Sequence, residues 1–131
     1  MSAYAFSTTF PGTFERAIER VTEELAKEGF GILTEIDVQA TLKKKLDLDG
    51  QPYRILGSCN PHLAHQAIAA EPDVGILLPC NVVVREGDEG VVVTFMNPTV
   101  VLGITERPDL GHLGEAALQK MRTVRDAIVE G

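Results

Sequence analysis

The chain predicts an α+β fold: a single mixed β-sheet of about five strands with helices packed mainly on one face. Three observations carry this. Helical and extended patterns alternate through the first two-thirds of the 131 residues. Two β-branched runs then flank a Gly-Asp-Glu-Gly turn, which reads as a hairpin. A last amphipathic helix closes the chain. The expected order is β-α-β-(α)-β-α-β-β-α in one domain, residues 1–131.

Ala3 to Thr9 alternates aromatic and small polar residues, as a first strand does. Pro11-Gly12 turns the chain, and Thr13 suits a helix N-cap. Phe14, Ala17, Ile18, Val21 and Leu25 follow at helical spacing, opposite Glu15, Arg16, Glu19, Glu23 and Lys27. Gly29 is placed to close that helix. Gly31 to Ile36 reads as a second strand. Asp37 then caps a short helix with the face Val38, Leu42 and Leu46, which Asp49-Gly50 and Pro52 end.

Tyr53 to Ser58 reads as a third strand. Asn60-Pro61 places Asn at an N-cap and Pro at the first helical position, ahead of the stripe Leu63, Ala64, Ala67 and Ile68. Val74 to Val84 is apolar almost throughout and reads as a central strand, with Pro79 implying a bulge, an edge or a break. Gly87 to Gly90 turns the hairpin into Val91 to Met96. Thr99 to Pro108 admits either an extended run or a short helix begun by Asn97-Pro98. The final helix has the apolar face Leu113, Ala117, Met121, Val124 and Ile128, with Asp109 a candidate cap.

Bulk properties narrow the function classes. A chain of this length buries roughly two-thirds of its unfolded surface, so folding needs neither disulfide nor structural metal. The net charge of −7 argues against nucleic acid and anionic membranes as partners, since both require a basic face. The only basic run, Lys43 to Lys45, reads as a solvated helix side. Met1 to Phe10 lacks the pattern of a secretory signal. The charge-free stretch Val91 to Thr105 is too short to span a bilayer and contains Asn97-Pro98. A cytoplasmic location with Cys59 and Cys80 as reduced thiols is the expectation. A sheet with helices on one face leaves the other to be covered, and a second copy of the chain is the simplest cover. A homodimer is therefore expected.

Reactive side chains concentrate at Cys59, Asn60, His62 and His65, with a second Cys-Asn pair at Cys80 and Asn81. Both pairs fall near strand ends or breaks, where sites form in α/β-type sheets. His62 and His65 share one side of their helix, away from its apolar stripe. Cys59 precedes a helix start, a position that attracts anions and suits a reactive sulfur.

Three readings follow. Cys59, His62, His65 and Cys80 form a candidate Cys2His2 set for zinc or another thiophilic metal ion, although without paired C-x2-C knuckles. Against it stands the commoner arrangement: two solvated histidines and two small buried cysteines. Alternatively Cys59 acts as a nucleophile with His62 or His65 as its base. Catalytic partners usually meet from distant parts of a sequence, which counts against this, and no phosphate loop, H-E-x-x-H, nucleophile elbow or C-x-x-C accompanies the pair. Enzymatic activity is the less favoured expectation. Thirdly, Cys59, Asn60, Cys80 and Asn81 line a small-molecule cavity, or the dimer is an interaction module without a ligand. The asparagines equally suit the fixing of turns. His112, between two glycines, reads as an exposed residue near a helix start.

The segments GILTEIDVQATLKKKL (31–46), YRILGSCNPHLAHQA (53–67) and EPDVGILLPCNVVV (71–84) together resemble the domain of unknown function 302 family of small prokaryotic proteins. The combination of C-N-P-x-x-A-H with L-P-C-N carries the resemblance, which is clearest from the first helix to the hairpin. It implies a compact single-sheet α+β fold, commonly dimeric, and no established activity. The motif residues it carries over are Cys59, Asn60, Pro61, His65, Pro79, Cys80 and Asn81. His62 stands where the family often has another residue, such as proline. By the resemblance, Cys59, His65 and Cys80 are then the sharper trio, for a metal ion, a small ligand or a thiol-dependent reaction with His65 as base.

Overall fold

The computed structural model describes residues 3–129. Strand β1 (Ala5–Phe10) leads through the Pro11-Gly12 turn into helix α1 (Phe14–Lys27). Thr13 Oγ1 accepts the Arg16 backbone N–H at 3.1 Å, so one of the helix's orphan donors is satisfied. Phe14, Ala17, Val21 and Leu25 are buried, as the spacing predicts. The helix stops where Gly29 adopts φ +85° and Phe30 N–H reaches back to the Leu25 carbonyl at 2.9 Å. Strand β2 (Gly31–Asp37) follows, then helix α2 (Val38–Leu46), capped by Asp37 Oδ1 on the Ala40 N–H at 2.9 Å.

Strand β3 (Tyr53–Cys59) leads to helix α3 (Pro61–Ala70), a 3-10 turn (Pro72–Leu77), and strands β4 (Cys80–Gly87) and β5 (Gly90–Met96). Helix α4 (Pro98–Gly103), a second 3-10 turn (Pro108–Leu110) and helix α5 (Gly111–Val129) complete the chain. The ambiguous segment after Asn97 is thus helical at its start. The apolar run from Val74 is not one strand: Val74 to Leu77 lie in the 3-10 turn, and β4 begins only after Pro79, which has no N–H for a ladder. Asp109 does not cap α5. Its carboxylate is held instead by Arg107 at 2.7 Å.

The five strands form one sheet in the order β1-β5-β4-β3-β2. Every pairing is antiparallel, where the alternation of helices and strands predicts a mixed sheet. The reason lies in the connections. α2 returns the chain to the sheet end it left, and so do α3 and its 3-10 turn; β2-β3 and β3-β4 are therefore antiparallel neighbours. Among the described helices that join two strands, only α1 carries the chain from one end of the sheet to the other. The two parallel strands it joins, β1 and β2, stand at opposite edges and never pair.

Helices α1 and α5 cover one face. Their apolar sides close on Phe10, Leu56, Val82, Val84, Val91, Val93 and Phe95 in the main core. The buried face of α5 is the predicted one: Leu113, Ala117, Met121, Val124 and Ile128 are all buried. A smaller cluster, Ala67, Val74, Leu110 and Leu113, forms around α3. On the sheet's other face Leu33 is 67% and Ile36 48% exposed. Ile55, Val83 and Val92 are only half-buried there.

Inside the sheet one position tolerates no side chain. A Cβ on Gly57 would collide with Thr34 Oγ1 and stand 2.9 Å from Pro79 Cγ. Gly57→Ala is expected to lower unfolding stability by about 1–3 kcal/mol, the usual cost of overpacking. Gly50 meets open space, so Gly50→Ala is the matched control. Urea unfolding checks this: an unmoved midpoint in Gly57→Ala contradicts the close approach.

Candidate functional site

At the sheet end where β3 and β5 finish and β4 begins, α3 and α4 both leave the sheet by the same device. Asn60 Oδ1 accepts the Leu63 N–H at 3.3 Å, and Pro61 takes the first helical position. Asn97 Oδ1 accepts the Thr99 N–H at 3.0 Å, followed by Pro98. In each case the asparagine satisfies an orphan donor, and the proline has none to satisfy.

A cavity of about 40 Å³ lies between these two helix starts. Cys59 and Asn60 border it from the end of β3, Cys80 from the start of β4, and Leu77, Leu78 and Pro79 from the approach to β4. Leu63, Ala64 and Ala67 of α3, Val101 and Leu102 of α4, and Leu113 and Ala117 of α5 supply most of the remaining wall. The wall is therefore apolar apart from Ser58, Cys59, Asn60 and Cys80.

The two sequence motifs are joined inside this wall. Ser58 and Cys80 are register partners across β3 and β4. Ser58 is fully buried, and its Oγ donates to the Cys80 carbonyl at 2.7 Å. Asn60 is also buried, and its side chain is occupied at both ends: besides capping α3, its Nδ2 donates to the Glu28 carbonyl at 3.4 Å. Asn60 thus fixes how α3 leaves the sheet relative to the end of α1.

Both cysteines are free and half-buried. Cys80 shares the face of Val82 and Val84 and packs against the main core. Burial pushes its thiol up to about 11, with the neighbouring Cys59 adding to the shift. At neutral pH Cys80 is therefore a protonated, weakly nucleophilic sulfur.

The remaining predicted residues do not reach the cavity. His62 and His65 are exposed, and neither borders it. The helical phase that turns Leu63, Ala64 and Ala67 inward turns both histidines out. Among the described residues no three His, Cys, Asp or Glu side chains gather as a metal site would require. The proposed zinc set of Cys59, His62, His65 and Cys80 is thus not assembled among the described residues, and His65 does not share the cavity that Cys59 borders. Asn81 is exposed and lies outside the cavity, because strand alternation puts it on the face opposite Cys80. His112 is exposed, as expected. Ser58 was not singled out from the sequence. Its signal is a hydroxyl at an inward position of β3, opposite the Cys80 that follows Pro79.

With the fold and cavity in place, the class is clear: a single-sheet α+β domain whose C-N-P and L-P-C-N motifs build one wall. The chain belongs to the family described as domain of unknown function DUF302, whose sequence model matches residues 6–128. It is similar to the crystal structure of an uncharacterized conserved DUF302 protein from Bacillus stearothermophilus. That likeness has 27% identity and a TM-score of 0.90, covering 97% of this chain and 99% of the other. No curated protein matches. The match extends through the C-terminal helix, beyond the segments in which the sequence resemblance is clearest.

The double role of Asn60 is testable. Asn60→Ala removes the cap and the Glu28 contact, and is expected to cost about 1–2 kcal/mol of stability. Asn60→Asp keeps a capping oxygen and adds a charge that the helix start favours, so its loss should be the smaller. Equal thermal destabilisation of the two variants would show that the cap contributes little.

Proposed function

We propose that the protein is a dimeric cytoplasmic binding protein that takes a short apolar group of its ligand into the cavity between α3 and α4. The observation that carries this reading is the cavity itself: an almost wholly apolar space bordered by both motifs. Its volume of about 40 Å³ is well below the ~150 Å³ that accommodates benzene in an apolar core. It suits the end of a ligand, such as a short alkyl group, rather than a whole cofactor. A lining this apolar, in which Ser58 and Asn60 are already hydrogen-bonded, favours a neutral hydrocarbon portion over an anion or a hard cation. The solvent-facing histidines weigh against the metal reading and against a Cys59–His65 catalytic pair.

Short n-alcohols of increasing length probe the cavity. Shifts in amide NMR signals are expected at Cys59, Ala64, Ala67 and Leu113. Each added methylene should strengthen binding by up to ~0.8 kcal/mol until the space is filled. Ala67→Val, which adds two methyl groups to a space of about 40 Å³, should abolish the response in a folded protein. Shifts that are absent, or that persist in Ala67→Val, would sink the proposal.

The dimer is supported by the uncovered sheet face. An antiparallel sheet that faces water normally alternates apolar inward with polar outward. Here Ile36, Ile55, Val83 and Val92 occupy outward positions, with Leu33 at a bulge beside them. Among the described residues no helix is long and apolar enough to cross a membrane. A second copy packed on this face would remove the apolar surface from water. Sedimentation equilibrium is expected to give about twice the chain mass of 14.2 kDa. Ile36→Glu, which would bury a charge in such an interface, should shift the protein to monomer. A wild-type monomer at micromolar concentration contradicts this arrangement.

A further inference from the structure

The two cysteines stand on adjacent strands and border one cavity, close enough in sequence register for a bond that the reduced protein lacks. Ser58 and Cys80 are opposite one another, so Cys59 is one residue out of register with Cys80 on the adjacent strand. That offset separates Cα atoms by about 6 Å, from a strand spacing of ~4.8 Å and a rise of ~3.4 Å. It lies inside the ~4.4–6.8 Å range of natural disulfides. In an uninterrupted strand the two side chains would point to opposite faces. Here β3 ends at Cys59 and the chain turns at Asn60 into α3, and both cysteines border the same cavity. The influence of Cys59 on the titration of Cys80 reflects the same proximity.

We propose that Cys59 and Cys80 form a reversible intramolecular disulfide in response to a peroxide, and that this bond across the cavity wall closes the site. Cys59 is not part of the main core, whereas Cys80 packs against it. Cys59 therefore meets the oxidant first. Its thiolate attacks one peroxide oxygen; the O–O bond breaks, and the departing oxygen leaves as water after protonation. Cys59 is then a sulfenic acid. The Cys80 sulfur attacks the Cys59 sulfur, the S–S bond forms, and the S–O bond breaks. The hydroxide released takes the Cys80 proton and leaves as a second water. Two thiols lose two electrons and two protons in all, and one peroxide is reduced to two waters. Cys80, half-buried against the core, is the partner that resolves the sulfenic acid. In a reducing compartment such a disulfide is transient, as suits a sensing role.

The disulfide itself does not depend on the ligand; only the closing of the site rests on the proposed binding function. The test uses the full-length chain treated with one equivalent of hydrogen peroxide, alkylated under denaturing conditions and weighed intact. Wild type is expected to lose two hydrogens, to resist alkylation at both cysteines, and to recover both thiols with dithiothreitol. Peptide mapping should join the Cys59 and Cys80 segments within one chain. Cys80→Ser should stop at a sulfenic acid on Cys59 that dimedone captures. Cys59→Ser should leave Cys80 fully alkylatable. Oxygen added to Cys59 of wild type while Cys80 stays alkylatable, or a bond joining two chains, would overturn the disulfide. Alcohol titration of reduced and oxidised wild type separates the two ideas. Binding lost on oxidation supports closure, and binding retained by the oxidised protein overturns it. Absence of binding in the reduced protein refutes the ligand reading and removes closure with it, while the mass result stands on its own.

Discussion

The hydrogen bond from Ser58 Oγ to the Cys80 carbonyl holds the site together. It lies where β4 has only just begun, so the Cys80 carbonyl is at the limit of the ladder. A buried carbonyl without a partner costs about 1–3 kcal/mol, and a buried hydroxyl is penalised likewise. Joining the two removes both penalties and fixes the β3-β4 register at its last pair. The consequences spread from there. The same register sets Gly57 opposite Asn81, and it brings Cys59 beside Cys80. A slip of one residue would turn every side chain of β4 to the wrong face.

Around this pair the chain leaves the sheet twice by an Asn-Pro step. The two helix starts diverge, and the two apolar clusters meet between them. Phe30 and Ala117 belong to the main core and Ala67 and Leu113 to the smaller one, yet all four border the cavity. The cavity is thus the seam of two clusters that do not merge. Gly57 lets Pro79 approach the sheet, and Asn60 ties the start of α3 to the end of α1. The position of the wall follows from backbone hydrogen bonding and steric fit, not from any charged group.

Much of this was legible in the sequence, because local physics decided it. The spacing of Phe14, Ala17, Val21 and Leu25 and that of Leu113, Ala117, Met121 and Val124 marked the two covering helices. Thr13, Asp37 and Asn60 all cap as their types predict. What was not legible depended on tertiary choices. Val74 to Leu77 looks like strand because every residue but Gly75 is apolar, yet Pro72 and Pro79 bracket it and it packs as a turn against α3. The sheet's uniformly antiparallel pairing depends on which end each helix returns to, and local pattern carries no such information. The sequence pattern turns His62 and His65 away from the apolar stripe of α3, and both are exposed. Of that stripe, Leu63, Ala64 and Ala67 face the cavity, whereas Ile68, expected with them, is 45% exposed and stands outside it.

The small residues in the wall carry the last step of the argument. An unfilled volume of 40 Å³ costs on the order of 1 kcal/mol at ~24 cal/mol per Å³. Three alanines, Ala64, Ala67 and Ala117, line it from two helices. One added methyl or ethyl group at any of them would fill the space and recover most of that energy. The motif cysteines are likewise smaller than the valines that dominate β4. A wall built throughout from small side chains, over a buried Ser58–Cys80 bond that keeps the strands in register, preserves an apolar space that closer packing would remove. Occupation by a ligand's short apolar group would offset the cost of keeping that space open.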